Sequence, residues 1–172
     1  MRTIKTVRIG MFAAMTAVLA QISIPMPSGV PLSLQTFAVA LSCFVLGAKN
    51  GSFSVLVYLL LGAVGLPVFT AFRSGFGVLF GSTGGFLWGF LILGIFCGLS
   101  VRQYHKVIKI LFCTAGILLC HLLGVLQFMF VTHTDFGQAF LAASMPYLLK
   151  DALVVSAAFL TAGKVRRQLH YL

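Results

Sequence analysis

The chain has 172 residues and a mass of 18.5 kDa; 60% of it is apolar, 8% is charged, and its mean hydropathy is +1.08. A soluble domain carries about 25% charged residues, so this composition excludes a water-facing globular surface, intrinsic disorder, a secreted disulfide scaffold and a nucleotide-hydrolysing domain. The formal charge of +10 lies in clusters between apolar runs, with no basic stripe among aromatics, which reads as membrane topology and not as nucleic-acid binding.

A transmembrane helix needs ~20 residues, and six apolar segments follow in chain order: 5–24, 34–48, 52–66, 84–100, 107–131 and 146–163. The second and third are short for a ~30 Å core. These segments leave only short loops, so the sequence predicts one compact all-α membrane domain over residues 1–172. With both termini inside, the cytoplasmic side holds ten of the twelve Lys and Arg residues: Arg2, Lys5, Arg8, Lys49, Arg102, Lys106, Lys109, Lys164, Arg166 and Arg167. Arg73 and Lys150 remain outside. That asymmetry sets the orientation. A competing reading takes Arg2 to Ala20 as a cleaved signal peptide, but the apolar run continues to Ile24.

The first segment carries a stripe of small residues, Ala13, Ala17 and Ala20, which allows close approach of another helix, internal or from a partner protein. The loop after it, Pro25 to Thr36, has three prolines in seven residues and no charge. Proline excludes a helix there, and the low polarity fits a lid over a partly apolar ligand. A second unusual loop, Phe69 to Gly85, carries Arg73 and five glycines among phenylalanines. Glycine lets backbone approach a ligand closely, and the greasy composition predicts that this loop folds back into the protein. It lacks the phosphate-loop pattern.

Asp151 is one of two acids in the chain. It lies thirteen residues before Lys164, ~20 Å above the inner edge of the last helix. A charge at such depth is costly, and Asp151 needs a partner. Lys150 is ~100° around the helix from it. Arg73 is therefore the expected partner of Asp151, or else Arg73 and Lys150 together hold an anionic ligand. His121 reads as a hydrogen-bonded core residue. His105 and His170 read as solvated near the inner interface, and His133 and Asp135 as outer loop. The four cysteines, Cys43, Cys97, Cys113 and Cys120, lie in apolar runs and read as packing. No catalytic set and no metal-ligand spacing emerges, so no cofactor is expected.

Three stretches carry a family resemblance: Val30 to Phe37, Tyr58 to Phe69, and Gly81 to Phe90. The chain resembles the BioY family, the biotin-specific substrate-binding (S) components of energy-coupling factor (ECF) transporters. The resemblance implies a six-helix protein of the bacterial plasma membrane. Such a protein captures biotin from outside and works with a transmembrane coupling subunit and two ATPases. It implies that Ala13 and Ala17 form the A-x-x-x-A contact with the coupling subunit. It also implies that Asp151 is the family's ligand-binding acid. Two departures stand out: Ser82 replaces a proline in the glycine loop, and Val154 stands where the family places a lysine, with Lys150 beside the acid instead.

Biotin's chemistry fits these residues. Asp151 can accept the ureido N–H groups and Arg73 can fork onto the carboxylate. Gln35, Thr36 and Thr83 can add neutral hydrogen bonds, with Gly84 giving close backbone approach. Phe86, Trp88, Tyr58 and Tyr147 are candidate apolar walls, and Tyr147 shares a helix face with Asp151. The alternatives are an S component for another vitamin, a carrier working alone, a structural membrane protein, or an intramembrane enzyme, which lacks a nucleophile and base.

Overall fold

The computed structural model describes residues 2–27 and 29–170; Ser28 of the proline loop and the side chains of Arg2, Leu169 and His170 lie outside the described residues. The chain is mostly helical. Its helices are α1 (Arg2–Gln21), α2 (Gln35–Ala63), α3 (Phe76–Phe80), α4 (Gly84–Ser100), α5 (Lys106–Thr132), α6 (Phe136–Ala143) and α7 (Met145–His170). By length and composition, among the described residues, α1 and α5 are long and apolar enough to cross a membrane, as is the run Gln35–Ala63 taken as one stretch.

The element α2 is a hairpin of two helical arms. Gly47 has φ 78° and ψ 171°, a conformation that glycine adopts at little steric cost, and the chain reverses there. Two contacts prove the reversal. A Cβ on Gly51 would stand 2.5 Å from the Cα of Cys43, and the Gln35 amide bonds the Tyr58 hydroxyl at 2.5 Å. In a straight helix those residues would be separated by ~12 and ~34 Å. The arms, 35–46 and 48–63, match the two short segments read from the sequence.

A single main core joins α1, both arms of α2, α4, α5 and α7 through Ala13, Phe44, Tyr58, Phe90, Ile117 and Ala158. A satellite cluster of Val30, Val125, Phe128, Ala139, Ala143 and Tyr147 seats the proline loop against α5, α6 and α7. That loop is a short antiparallel ribbon, β1 (Ser23–Ile24) and β2 (Leu32–Ser33), with Ser23 opposite Ser33.

Two sequence expectations need correction, and a third gains detail. Ala13 is 1% exposed and packed in the core, so it does not offer an outward docking face. The α2 hairpin lies along α1 and takes up that side, with the Ser54 hydroxyl bonded to the Ile9 carbonyl at 3.1 Å. Ala17 is half-buried against the same core. Asp135 stands in the loop before α6, as read, and caps that helix, accepting from the Gly137 and Gln138 amides at 3.0 and 3.2 Å. Of the phenylalanines before Gly81, Phe69 folds inward, while Phe72, Phe76 and Phe80 face outward.

Candidate ligand site

At one end of the bundle the ribbon, the loop after α2, the start of α4, mid-α5 and the start of α7 line one cavity, partly open to the outside. Eight residues expected at a ligand line it: Arg73, Asp151, Lys150, Gln35, Thr36, Thr83, Phe86 and Tyr147.

Asp151 is 8% exposed, on the inward face of α7. Its partner is not Arg73. The Lys150 ammonium is 2.5 Å from Oδ1, and the His121 Nε2 is 3.1 Å from Oδ2. Lysine's four-carbon stem is long enough to wrap around the helix, which overcomes the ~100° between adjacent residues. The same ammonium reaches the Ser33 carbonyl of the ribbon at 3.4 Å. His121 completes a buried chain, with its Nδ1 2.9 Å from the Ser144 hydroxyl. If Nε2–H donates to the carboxylate, Nδ1 accepts from Ser144. Both carboxylate oxygens are thus covered, Oδ1 by the Lys150 ammonium and Oδ2 by His121.

Arg73 sits in the loop after α2 and makes no ion pair among the described residues. Gln35 donates to the Tyr58 hydroxyl and accepts from the Thr70 hydroxyl at 3.0 Å. Tyr147 donates its hydroxyl to the Val30 carbonyl and so fastens the ribbon. Phe86, Leu87, Phe90 and Phe69 supply apolar wall.

Three expected residues stand elsewhere. Tyr58 is fully buried behind Gln35, donating to the Val68 carbonyl at 3.2 Å. Gly84 lies under the loop, where a Cβ would be 1.9 Å from the Leu79 carbonyl oxygen. It allows the turn to close and does not line the cavity. Trp88 faces outward and donates to that same carbonyl at 3.2 Å. Sequence reasoning missed His121, Ser33, Thr70 and Val30 as cavity residues. For His121 a signal existed: a histidine in mid-span on an apolar helix is costly and wants an acid, of which the chain has two.

The family profile for the BioY family matches residues 1–171. The biotin transporter BioY of Thermotoga maritima is 38% identical over 162 residues, covering 94% of this chain and 95% of that protein. The probable biotin transporter BioY of Pyrococcus horikoshii is 33% identical over 158 residues, with 92% and 93% covered. Among solved structures, the S-component for biotin from an ECF-type ABC transporter superposes with a TM-score of 0.83. The superposition covers 98% of this chain and 92% of the other at 21% identity, a likeness of fold.

Proposed function

The chain belongs to the BioY family, and from that premise we propose that it captures biotin at the outer face of the cell membrane. It is a transport protein and not an enzyme, as its relatives are named. It acts as the membrane-embedded subunit of an ATP-driven ECF transporter, with ATP hydrolysis supplied by two partner ATPases and a coupling subunit. The relatives and the apolar helices mark an integral membrane protein. Six spans, α1, the two arms of α2, α4, α5 and α7, carry the chain across with both termini in the cytoplasm.

The observation that carries this reading is the division of charge within one cavity. Asp151 is already met by Lys150 and His121, while Arg73 has no acid among the described residues. Biotin is divided in the same way. Its ureido group offers two N–H donors, which Asp151 accepts. Its carboxylate takes the Arg73 fork. Its thioether ring and valeryl chain lie against Phe86, Phe90 and Tyr147. Lys150 is engaged by Asp151, so Arg73 is the cation for the ligand carboxylate.

The coupling subunit docks on the membrane-facing side of α1. That side carries Gly10, Met11, Ala14 and Val18. Gly10 and Ala14 repeat the small-residue spacing one face around from Ala13 and Ala17.

Calorimetry of biotin on the purified chain tests the reading, with desthiobiotin and thiamine as controls. Tight biotin binding and no thiamine binding is expected. No biotin binding to folded, monodisperse protein would overturn it.

A further inference from the structure

Arg73 has no side-chain partner among the described residues, so its stance is set by the backbone that carries it. That backbone is a small closed loop. The Phe69 amide donates to the Arg73 carbonyl at 3.1 Å, and the Arg73 amide donates to the Thr70 carbonyl at 3.4 Å. Inside it, Ala71 and Phe72 stand at φ 58° and 56°. Two successive residues with side chains in the left-handed region are unfavourable, and they persist only where surroundings over-determine them. Packing does not hold Phe72, which is 70% exposed.

The Gln21 side chain grips the loop from the α1 side. The amide nitrogen of Gln21, the last residue of α1, lies 3.2 Å from both the Val68 and Phe69 carbonyls and 3.1 Å from its own helix at Ala17. Its oxygen accepts the Phe72 amide at 2.9 Å. Gln21 thus uses both ends of its carboxamide, bonding the strained segment on its entering and its leaving side. Only a group that both donates and accepts fits this position. On the far side the loop is tied by the Gly75 amide to the Gly62 carbonyl at 2.7 Å and by the Thr70 hydroxyl to Gln35. Those ties leave Ala71 and Phe72 between them.

We propose that Gln21 is a positioning residue that holds the Ala71–Phe72 turn in its left-handed form and so aims Arg73 at the carboxylate of the ligand. The inference rests on the assignment of that carboxylate to Arg73. Gln21 touches no ligand itself. Its effect is confined to whatever Arg73 recognises.

The test compares biotin with biotinol, the alcohol that keeps the ring and chain but lacks the charge. Affinities of both are measured for wild type, Arg73→Ala, Gln21→Met and the double variant. Methionine keeps length without donors or acceptors. Gln21→Glu, which keeps an acceptor and loses the donor, is read in the same way if Gln21→Met is not monodisperse. Biotin affinity is expected to fall about tenfold or more in each single variant, biotinol affinity to stay level, and the double variant to match Arg73→Ala. An unchanged preference for biotin in Gln21→Met, beside a collapsed one in Arg73→Ala, overturns the inference and leaves the site standing. Equal losses for both ligands in Gln21→Met also overturn it, since a purely structural role gives that result. An unchanged preference in Arg73→Ala overturns the carboxylate assignment itself, and the inference with it.

Discussion

Asp151 shows how much one residue's surroundings matter. A buried carboxylate is tolerated when it is paired, and removing one partner is far more costly than never having had the pair. Here Lys150 lies 2.5 Å from one oxygen and His121 3.1 Å from the other. The acid's depth was legible, because it follows from counting residues to Lys164. Its partners were not, because which cation reaches it depends on a side-chain path and on a helix distant in sequence. Arg73→Ala and Asp151→Ala are each expected to weaken biotin binding more than tenfold, in keeping with ~1.5–3 kcal/mol per hydrogen bond to a charged group. Calorimetry on monodisperse variants measures this, and wild-type affinity in both would sink the site. His121→Phe behaves differently. It strands both Asp151 and Ser144, so thermal stability and affinity are expected to fall together, whereas Arg73→Ala, on an exposed loop, lowers affinity alone. Melting curves in detergent separate the two; a normal melting temperature for His121→Phe would contradict the buried network.

Among the elements, the long helices were readable and the short ones were not. The segments at 84–100 and 107–131 coincide with α4 and α5 within a residue, because a continuous apolar run leaves little choice of structure in a membrane. The helices α3 and α6, of five and eight residues, are too short to show a period. For α6 the start signal was nonetheless present in Asp135, an N-cap residue. The proline loop was readable as non-helical. Its form as a ribbon was not, since the strands are two residues each. That ribbon hangs on Tyr147 through the Val30 carbonyl and on Lys150 through the Ser33 carbonyl. Tyr147→Phe removes one hydrogen bond of ~1 kcal/mol, so biotin is expected to dissociate about fivefold faster with its association rate little changed. Stopped-flow exchange against excess ligand measures both rates; an unchanged off-rate would mean that the ribbon does not retain the ligand.

At the scale of the molecule, the cavity and the basic clusters lie at opposite ends. The ribbon, the Arg73 loop and the start of α7 meet at one end, while Lys49 and Arg102 follow turns at the other. Single cysteines at 49 and 102 in a cysteine-free background are expected to be labelled only from the cytoplasmic side, and one at 134 only from outside. Labelling of all three from one side would overturn the six-span topology. The docking face is tested separately. Gly10→Leu or Ala14→Leu should abolish copurification of the coupling subunit and ATPases and leave biotin binding intact. Ala13→Leu should instead lower stability, because it overfills a packed core at ~1–3 kcal/mol. Loss of copurification only in Ala13→Leu would restore the inward stripe as the contact.

By itself the sequence determined the solvent this chain belongs in, the helical class, the order of the apolar runs and part of the cavity's lining. Of the side chains, that covers eight of the seventeen residues that line the cavity; all of this follows from composition, from run length and from the cost of polar groups out of water, which are local. Only the tertiary structure decided that Gly47 folds one continuous run into a hairpin and that Ala13 turns inward while Ala14 turns out. It also decided that Lys150 and His121, not Arg73, satisfy Asp151. Each of these depends on which groups meet across many residues of chain, and hydrophobic burial, being non-directional, does not specify that from one segment alone.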